Sequence, residues 1–129
     1  MACIDANFLV GLDRRDGAAL AKMQELEEKG DTVYITAVTA AEFFRGAYGS
    51  KNRMKALDDA RNMIKRFSIL DLDYESARIW GELSYNLKSD TIGDRDLFIA
   101  GIAIANRQAL LTRDVRHFER VPDLTVESW

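Results

Sequence analysis

Short apolar runs of strand length alternate along the chain with longer stretches of helical periodicity. Such a run predicts a buried strand, whereas apolar residues spaced three or four apart predict a helix that packs on a sheet. Parallel strands need crossover helices, and right-handed crossovers bring the carboxyl ends of the strands to one edge. The alternation therefore predicts an α/β fold with a mostly parallel central sheet flanked by helices. The predicted strands are 2–5, 32–35, 68–72, 109–112 and 124–128.

The segments between these strands predict helices. Leu20, Met23 and Leu26 have helical spacing and lead to Gly30, a typical C-terminal stop. Asp73 is a fitting N-cap for the helix that follows the third strand. The polar segment 89–96 then interrupts the pattern before a strongly apolar helix begins. Besides the helix that ends near Gly30, the predicted helices are 39–48, 51–67, 74–88 and 97–106.

The size and composition predict one packed domain, residues 1–129. No apolar run reaches the roughly 18 residues needed to cross a bilayer, and the start of the chain lacks the basic segment of a signal peptide. We therefore expect a cytoplasmic protein with no membrane partner. Cys3 is the only cysteine, so it cannot form an internal disulfide, and its apolar neighbours predict a buried, unreactive thiol.

The net charge of −3 does not by itself indicate a nucleic-acid-binding protein, but the charge is unevenly distributed. Residues 45–66 carry seven basic and two acidic side chains, and a second basic group lies near the C-terminus. Such a patch can bind phosphates by electrostatic attraction, although many charged helix faces are simply solvated. The surface around 45–66 is thus a candidate contact for a nucleic acid or for a protein, and the sequence does not separate the two.

Four carboxylates occupy places where parallel α/β sheets bind ligands, just after a strand or near the start of a helix. They are Asp5, Glu42, Asp96 and Asp114. Four separate segments thus deliver an acid to the same predicted edge of the sheet. Two unit charges about 4 Å apart repel by roughly 4 kcal/mol at an effective dielectric of about 20, so such a cluster calls for a bound cation.

Each of these acids also has a purely structural explanation. The acids after the first and fourth strands suit a helix cap or a turn. Thr39 and Glu42 match a capping box. Either Asp94 or Asp96 suits the N-cap of the apolar helix that follows. Only their joint placement favours a metal site over capping.

The candidate ligands are hard oxygen atoms, and the sequence has no cluster of His or Cys. This set favours Mg²⁺ or Mn²⁺ over zinc. The single histidine, His117, is expected on the surface of a late loop rather than as a general base. A reaction at this edge of the sheet is therefore expected to depend on metal.

Four motifs in order give the chain a likeness to a known family, and the closing stretch FERVPDLTVESW adds to it. Together they resemble the PIN-domain nucleases and, among these, the VapC type of toxin ribonuclease. The likeness spans nearly the whole chain. The motifs are IDANFL at 4–9, AEFFRGA at 41–47, IGDRDLFIAGIAIA at 92–105 and LLTRDVRHF at 110–118.

The resemblance implies a PIN fold, a three-layer sandwich, and an endoribonuclease that depends on Mg²⁺ or Mn²⁺. It also implies a homodimer that is inhibited by a small cognate antitoxin. By motif, the four acids match the family's catalytic and metal-binding quartet. The motif makes Asp96 a core ligand and Asp94 a fifth acid, either an auxiliary ligand or a helix cap. Asn7 and Thr112 match supporting polar positions that orient a carboxylate or a water, and Arg113 is expected to stabilise the transition state.

Two positions depart from the family pattern without removing a carboxylate. Ala6 stands where a small hydroxyl residue is frequent, and Gly101 stands where alanine is frequent. Asp114 occupies a position where some relatives carry asparagine, so the acidic set is complete. This favours a catalytically competent enzyme.

Other functions stay open at this point. One is a PIN-domain nuclease that processes RNA or acts on DNA without a toxin role. Another is a non-catalytic module whose acids hold a cation or a partner's basic side chain. A phosphatase of the haloacid-dehalogenase type is disfavoured, because the segment Asp5-Ala6-Asn7 lacks the second acid of its D-x-D motif.

Overall fold

A computed structural model describes residues 2–88 and 92–129. Of the polar segment predicted at 89–96, residues 89–91 lie outside the described residues, as does Met1. The strands are β1 Ala2–Ile4, β2 Val33–Thr36, β3 Ser68–Leu70, β4 Ala109–Leu111 and β5 Val126–Glu127. The helices are α1 Ala6–Asp13, α2 Gly17–Glu28, α3 Ala37–Tyr48, α4 Arg53–Ile64, α5 Tyr74–Asn86, α6 Asp94–Ala105 and α7 Val115–Phe118.

The five strands form one sheet in the order β3-β2-β1-β4-β5. All four strand pairs among the described residues are parallel. The strand order reverses direction at β1, which has β2 on one side and β4 on the other. The predicted parallel sheet is confirmed, and the ends of β1 and β4 meet at the point where such sheets bind ligands.

Helices cover both faces of this sheet, which makes three layers. Ile4, Ile35 and Leu111 are register partners, so they face the same side, where they pack with α1 and α2. Leu110 is the preceding residue along β4 and therefore faces the opposite side, where it packs with Ile99 of α6. The α/β sandwich expected from the sequence is confirmed.

Helix α6 approaches α5 very closely at Gly101. A Cβ added at this position would lie 3.1 Å from the backbone oxygen of Ser76 in α5. The glycine therefore allows the two helices to pack at a distance that an alanine would increase. This gives a physical reason for the glycine at this position.

Several local predictions are confirmed. Gly30 follows α2 with a φ of 70°, the left-handed conformation that favours glycine. Asp73 caps α5 and forms a capping box with Ser76. Cys3 is fully buried, and this burial raises the pKa of its thiol to about 12. Within the part of the chain that the structure describes, no helix is long and apolar enough to span a membrane.

Two local predictions are wrong, and one helix was not predicted. The unpredicted helix is α1, which precedes α2, and the turn between them includes Arg15 at a φ of 57°. Helix α3 is capped by Thr36, so it begins too early for Thr39 and Glu42 to form a capping box. Helix α6 has Gly93 at its N-cap. Asp94 and Asp96 are therefore not N-caps but lie in its first turn.

Candidate active site

The four predicted carboxylates line one cavity at the carboxyl edge of the sheet. Its volume is about 150 Å³. Helices α1 and α3 begin directly after β1 and β2 at this edge, and the first turn of α6 brings Asp96 to it. The remaining lining comes from Ala6, Asn7, Ile99 and Phe118, and the acids are Asp5, Glu42, Asp96 and Asp114.

Asp5 is the most buried of the four acids, with 8% of its surface exposed. Its two oxygen atoms have different partners. The backbone N–H of Phe8 donates to Oδ1 at 3.0 Å, which makes Asp5 the N-cap of α1. The Thr112 hydroxyl donates to Oδ2 at 2.7 Å. This contact follows from the sheet register, in which Ile4 pairs with Leu111, so the next residues of both strands are neighbours.

The negative charge of Asp5 is held at a free-energy cost. Burial raises the pKa of Asp5, and the hydrogen bonds from Thr112 and Phe8 only partly oppose this effect. The charges of Asp96 and Asp114 raise the pKa further. The acids of the cavity therefore repel one another, and a bound cation would relieve this repulsion.

Thr112 joins two of the acidic segments. Its fully buried hydroxyl donates to Asp5 and accepts a hydrogen bond from the backbone N–H of Asp114 at 3.0 Å. The carboxylate of Asp114 itself makes no capping hydrogen bond, although Asp114 occupies the N-cap position of α7. Its side chain is thus available to a ligand in the cavity.

Glu42 reaches the cavity from the second turn of α3. Its side chain is half-buried and lies 4.0 Å from a guanidinium nitrogen of Arg95. Burial raises the pKa of Glu42; Arg95 opposes this, while the charges of Asp96 and Asp5 add to it. Burial and the charges of neighbouring carboxylates therefore raise the pKa of both Glu42 and Asp5.

Asp96 lies in the first turn of α6, where the helix N-terminus stabilises a negative charge. Nε2 of His117 lies 2.8 Å from Oδ2 of Asp96. The other ring nitrogen of His117 lies 3.2 Å from a guanidinium nitrogen of Arg120. A chain of polar contacts thus runs from Asp96 through His117 to Arg120.

The expectation that His117 is a loop surface residue is wrong. His117 lies on α7, is mostly buried and contacts Asp96 directly. The sequence carried little signal for this contact, because α7 has only four residues and is too short to show helical periodicity.

The supporting residues are distributed unevenly around the cavity. Asn7 lines it, whereas Asp94 is exposed and does not. Arg113 points elsewhere, because its guanidinium lies 3.8 Å from the ring centroid of Trp129 and donates to Asp16 at 3.1 Å. Direct transition-state stabilisation by Arg113 therefore has no geometric support in this structure.

The donor set of the cavity fits a hard divalent cation, although the carboxylates are spaced more widely than the ligands of a bound ion. In residues 2–88 and 92–129, no group of three His, Cys, Asp or Glu side chains is close enough together to hold a metal ion. Two of the acids are held by neighbours, Asp5 by Thr112 and Asp96 by His117. All four acids nevertheless border the same small cavity and offer the oxygen ligands that Mg²⁺ and Mn²⁺ prefer.

Comparisons with known proteins agree with this arrangement. The PIN domain family matches residues 2–124. The chain is 30% identical to ribonuclease VapC2 of Rickettsia felis, over 98% of this chain and 96% of the relative. It is 31% identical to the tRNA(fMet)-specific endonuclease VapC of Shigella flexneri, with the same coverage. A crystal structure of VapBC2 from Rickettsia felis, bound to a DNA fragment from its promoter, superimposes with a TM-score of 0.90.

That structure is 27% identical in sequence, and the match covers 99% of this chain and 98% of the other. Fold, sequence motifs and the placement of the acids agree with one family. The chain therefore belongs to the PIN-domain family, and among known proteins it is similar to the VapC ribonucleases.

Proposed function

We propose that the protein is a metal-dependent endoribonuclease that hydrolyses RNA phosphodiester bonds, and that it is the toxin of a toxin–antitoxin pair. The observation that carries the proposal is the cavity in which carboxylates from four chain segments meet. The similarity to VapC ribonucleases over 98% of the chain supports RNA as the substrate.

In this proposal Asp5, Glu42, Asp96 and Asp114 hold Mg²⁺ or Mn²⁺. When bound, such a cation polarises a phosphoryl oxygen and lowers the pKa of a water at the scissile bond. The protein supplies the orientation of the ligands. The Thr112 hydroxyl fixes one oxygen of Asp5, and the contact with His117 fixes the rotamer of Asp96.

The test is Mn²⁺-dependent cleavage of total RNA by the purified protein, with the cut ends mapped. We expect cleavage by the unmodified chain and loss of cleavage in Asp5→Asn and in Asp96→Asn, with circular dichroism unchanged in both variants. Undiminished cleavage by both variants would show that the reaction occurs elsewhere. Cleavage of DNA but not RNA would favour a DNA-acting PIN nuclease, and Mn²⁺ binding without any cleavage would favour a non-catalytic module.

We further propose that the protein acts in the cytoplasm as a homodimer and is inhibited by a small antitoxin. A groove of about 530 Å³ between α1, α3 and α4 opens beside Glu42 and suits a protein segment. Its floor is apolar, with Val10 and Phe43, and charged side chains such as Lys55 and Asp59 line it too. The groove shares Ala6 and Glu42 with the acidic cavity, so a segment in the groove would lie beside the acids.

Co-expression with a small protein, if one is encoded next to this chain, tests the partner. We expect the two proteins to co-purify and cleavage to stop in the complex, and analytical ultracentrifugation of the chain alone to give a dimer. A chain that is monomeric and cleaves RNA equally well in the presence of the neighbouring protein would contradict the toxin role but not the nuclease role.

A further inference from the structure

A second cavity of about 430 Å³ borders the acidic one on the other side of the first turn of α1. Asn7 lines both cavities, so they adjoin at this residue. The second cavity carries no acid of the quartet. Its lining is Asn7, Val10, Gly11, Arg14, Asp16, Arg113 and Trp129.

The charge of the second cavity is opposite to that of the first. Arg14 and Arg113 contribute two positive charges, and Asp16 contributes one negative charge. The carboxylate of Asp16 is already engaged, because it caps α2 at the N–H of Ala19 and accepts from Arg113. Arg14 is exposed and has no ion pair among the described residues, so its charge is available to a ligand.

Arg113 offers a flat, solvent-facing surface. One face of its guanidinium stacks on the indole of Trp129 at 3.8 Å from the ring centroid, and half of its side chain is exposed. A guanidinium plane is a surface on which an unpaired nucleobase stacks. Because half of the Arg113 side chain is exposed, its guanidinium is a candidate surface for such stacking.

Neighbouring residues fix the positions of both Trp129 and Arg113. Trp129 packs edge-on against Phe8 with the ring centroids 4.9 Å apart. A Cβ added at Gly11 would lie 3.2 Å from the indole, so the glycine allows Trp129 to lie directly on α1. The ion pair with Asp16 holds the same guanidinium group at one of its terminal nitrogens. The surface is thus preorganised before any ligand binds, which lowers the entropic penalty of binding.

We propose that Arg14, Arg113 and Trp129 form a subsite that binds one unpaired nucleotide of a single-stranded RNA beside the scissile phosphate. Arg14 binds the phosphate of this nucleotide, and the Arg113 guanidinium stacks on its base. The subsite offsets the repulsion between an RNA strand and the acidic cavity. This inference rests on the proposed ribonuclease function, because it takes the acidic cavity as the place of cleavage.

The test is the binding of a fluorescent single-stranded RNA 12-mer of mixed sequence, measured by anisotropy at several salt concentrations. All proteins carry Asp96→Asn so that binding is read without cleavage. Arg14→Gln removes a phosphate contact, so we expect weaker binding and a salt slope smaller by about 0.7. Arg113→Lys keeps the charge but loses the planar stack, so we expect binding about fivefold weaker or more with an unchanged salt slope.

Arg107→Gln is the matched control, since Arg107 is an exposed arginine at the opposite end of α6 from Asp96. If Arg14→Gln and Arg113→Lys bind RNA as the control does, or if the reference protein binds no RNA, the subsite is overturned. A parallel assay of the chain without Asp96→Asn separates the two proposals. RNA binding with the expected variant effects, but without cleavage, would overturn the nuclease and leave Arg14 and Arg113 as an RNA-binding site only.

Discussion

Asp5 contributes to the fold and also lines the candidate site. Oδ1 caps α1 and Oδ2 accepts from Thr112, while the carboxylate borders the cavity. The capping explanation and the functional explanation of this residue are therefore compatible. For Glu42 they are not, because α3 begins two residues before Thr39 and leaves Glu42 outside any capping box.

Substitutions at Thr112 test the hydrogen-bond network of the site. Thr112→Val keeps the shape but leaves a buried carboxylate oxygen and the N–H of Asp114 without this partner. We expect the free energy of unfolding to fall by about 1 to 3 kcal/mol in urea denaturation. Thr112→Ser keeps the hydroxyl and should lose much less. Equal losses in the two variants would mean that the methyl group, not the hydrogen bonds, carries the effect.

A substitution at Glu42 tests the free-energy cost of its ionised carboxylate in the cavity without metal. Burial is the main source of this cost, Arg95 opposes it, and the charges of Asp96 and Asp5 add to it. Because its pKa in the folded protein is raised, ionised Glu42 destabilises the folded state at neutral pH, and protonation removes this effect at low pH. In EDTA, Glu42→Gln should therefore be more stable than the unmodified chain at pH 7. The advantage should shrink as the pH falls toward the ordinary value of 4.5. A difference in unfolding free energy that does not depend on pH would contradict this cost of ionisation.

The sequence predicted the residues that follow strands better than it predicted their neighbours. Asp5, Thr112 and Asp114 could be placed because parallel strands end at a common edge. The contact of His117 with Asp96 and the position of Arg113 could not, because both depend on side-chain directions in short or irregular segments. The catalytic and metal-binding roles of the four acids stay predictions.

At the scale of elements, α6 depends on its approach to α5. Alanine in a helix is ordinarily more stable than glycine by about 1 kcal/mol. At Gly101 the added Cβ would lie 3.1 Å from a backbone oxygen, which cannot turn aside as a flexible side chain can. We therefore expect Gly101→Ala to lower the free energy of unfolding by about 1 to 3 kcal/mol.

Gly81 provides the matched control for this helix pair. It lies in the interior of α5, is exposed, and a Cβ added there meets nothing within 4 Å. Gly81→Ala should therefore raise the melting temperature, whereas Gly101→Ala should lower it. Stabilisation by both substitutions would show that α5 and α6 have room to separate.

Element boundaries show why the sequence predicted the existence of the main elements better than their ends. Helix α3 begins at Ala37 because Thr36, at the end of β2, caps it. Helix α1 was not predicted because its apolar residues run nearly continuously, a pattern that is typical of a buried strand and of a buried helix alike. Helix α7 escapes prediction because four residues are too few for any periodicity.

At the scale of the whole molecule, the strand order explains why distant segments meet. β1 and β4 are neighbours although 107 positions separate Asp5 from Thr112 along the chain. Strands from the start and the end of the described chain lie in one sheet, which supports a single domain at 1–129, a prediction still to be tested. Alternating elements predict such a sheet, but they do not predict the cavities around α1.

The central claim is that the acidic cavity binds a divalent cation. Isothermal titration of the protein with Mn²⁺ tests it most directly, and Asp94 offers a charge-matched control, since it lies two residues from Asp96 but outside the cavity. We expect the unmodified chain and Asp94→Asn to bind Mn²⁺ alike, and Asp96→Asn to bind at least about tenfold more weakly. No Mn²⁺ binding by the unmodified chain, or equal losses in both variants, would contradict the account.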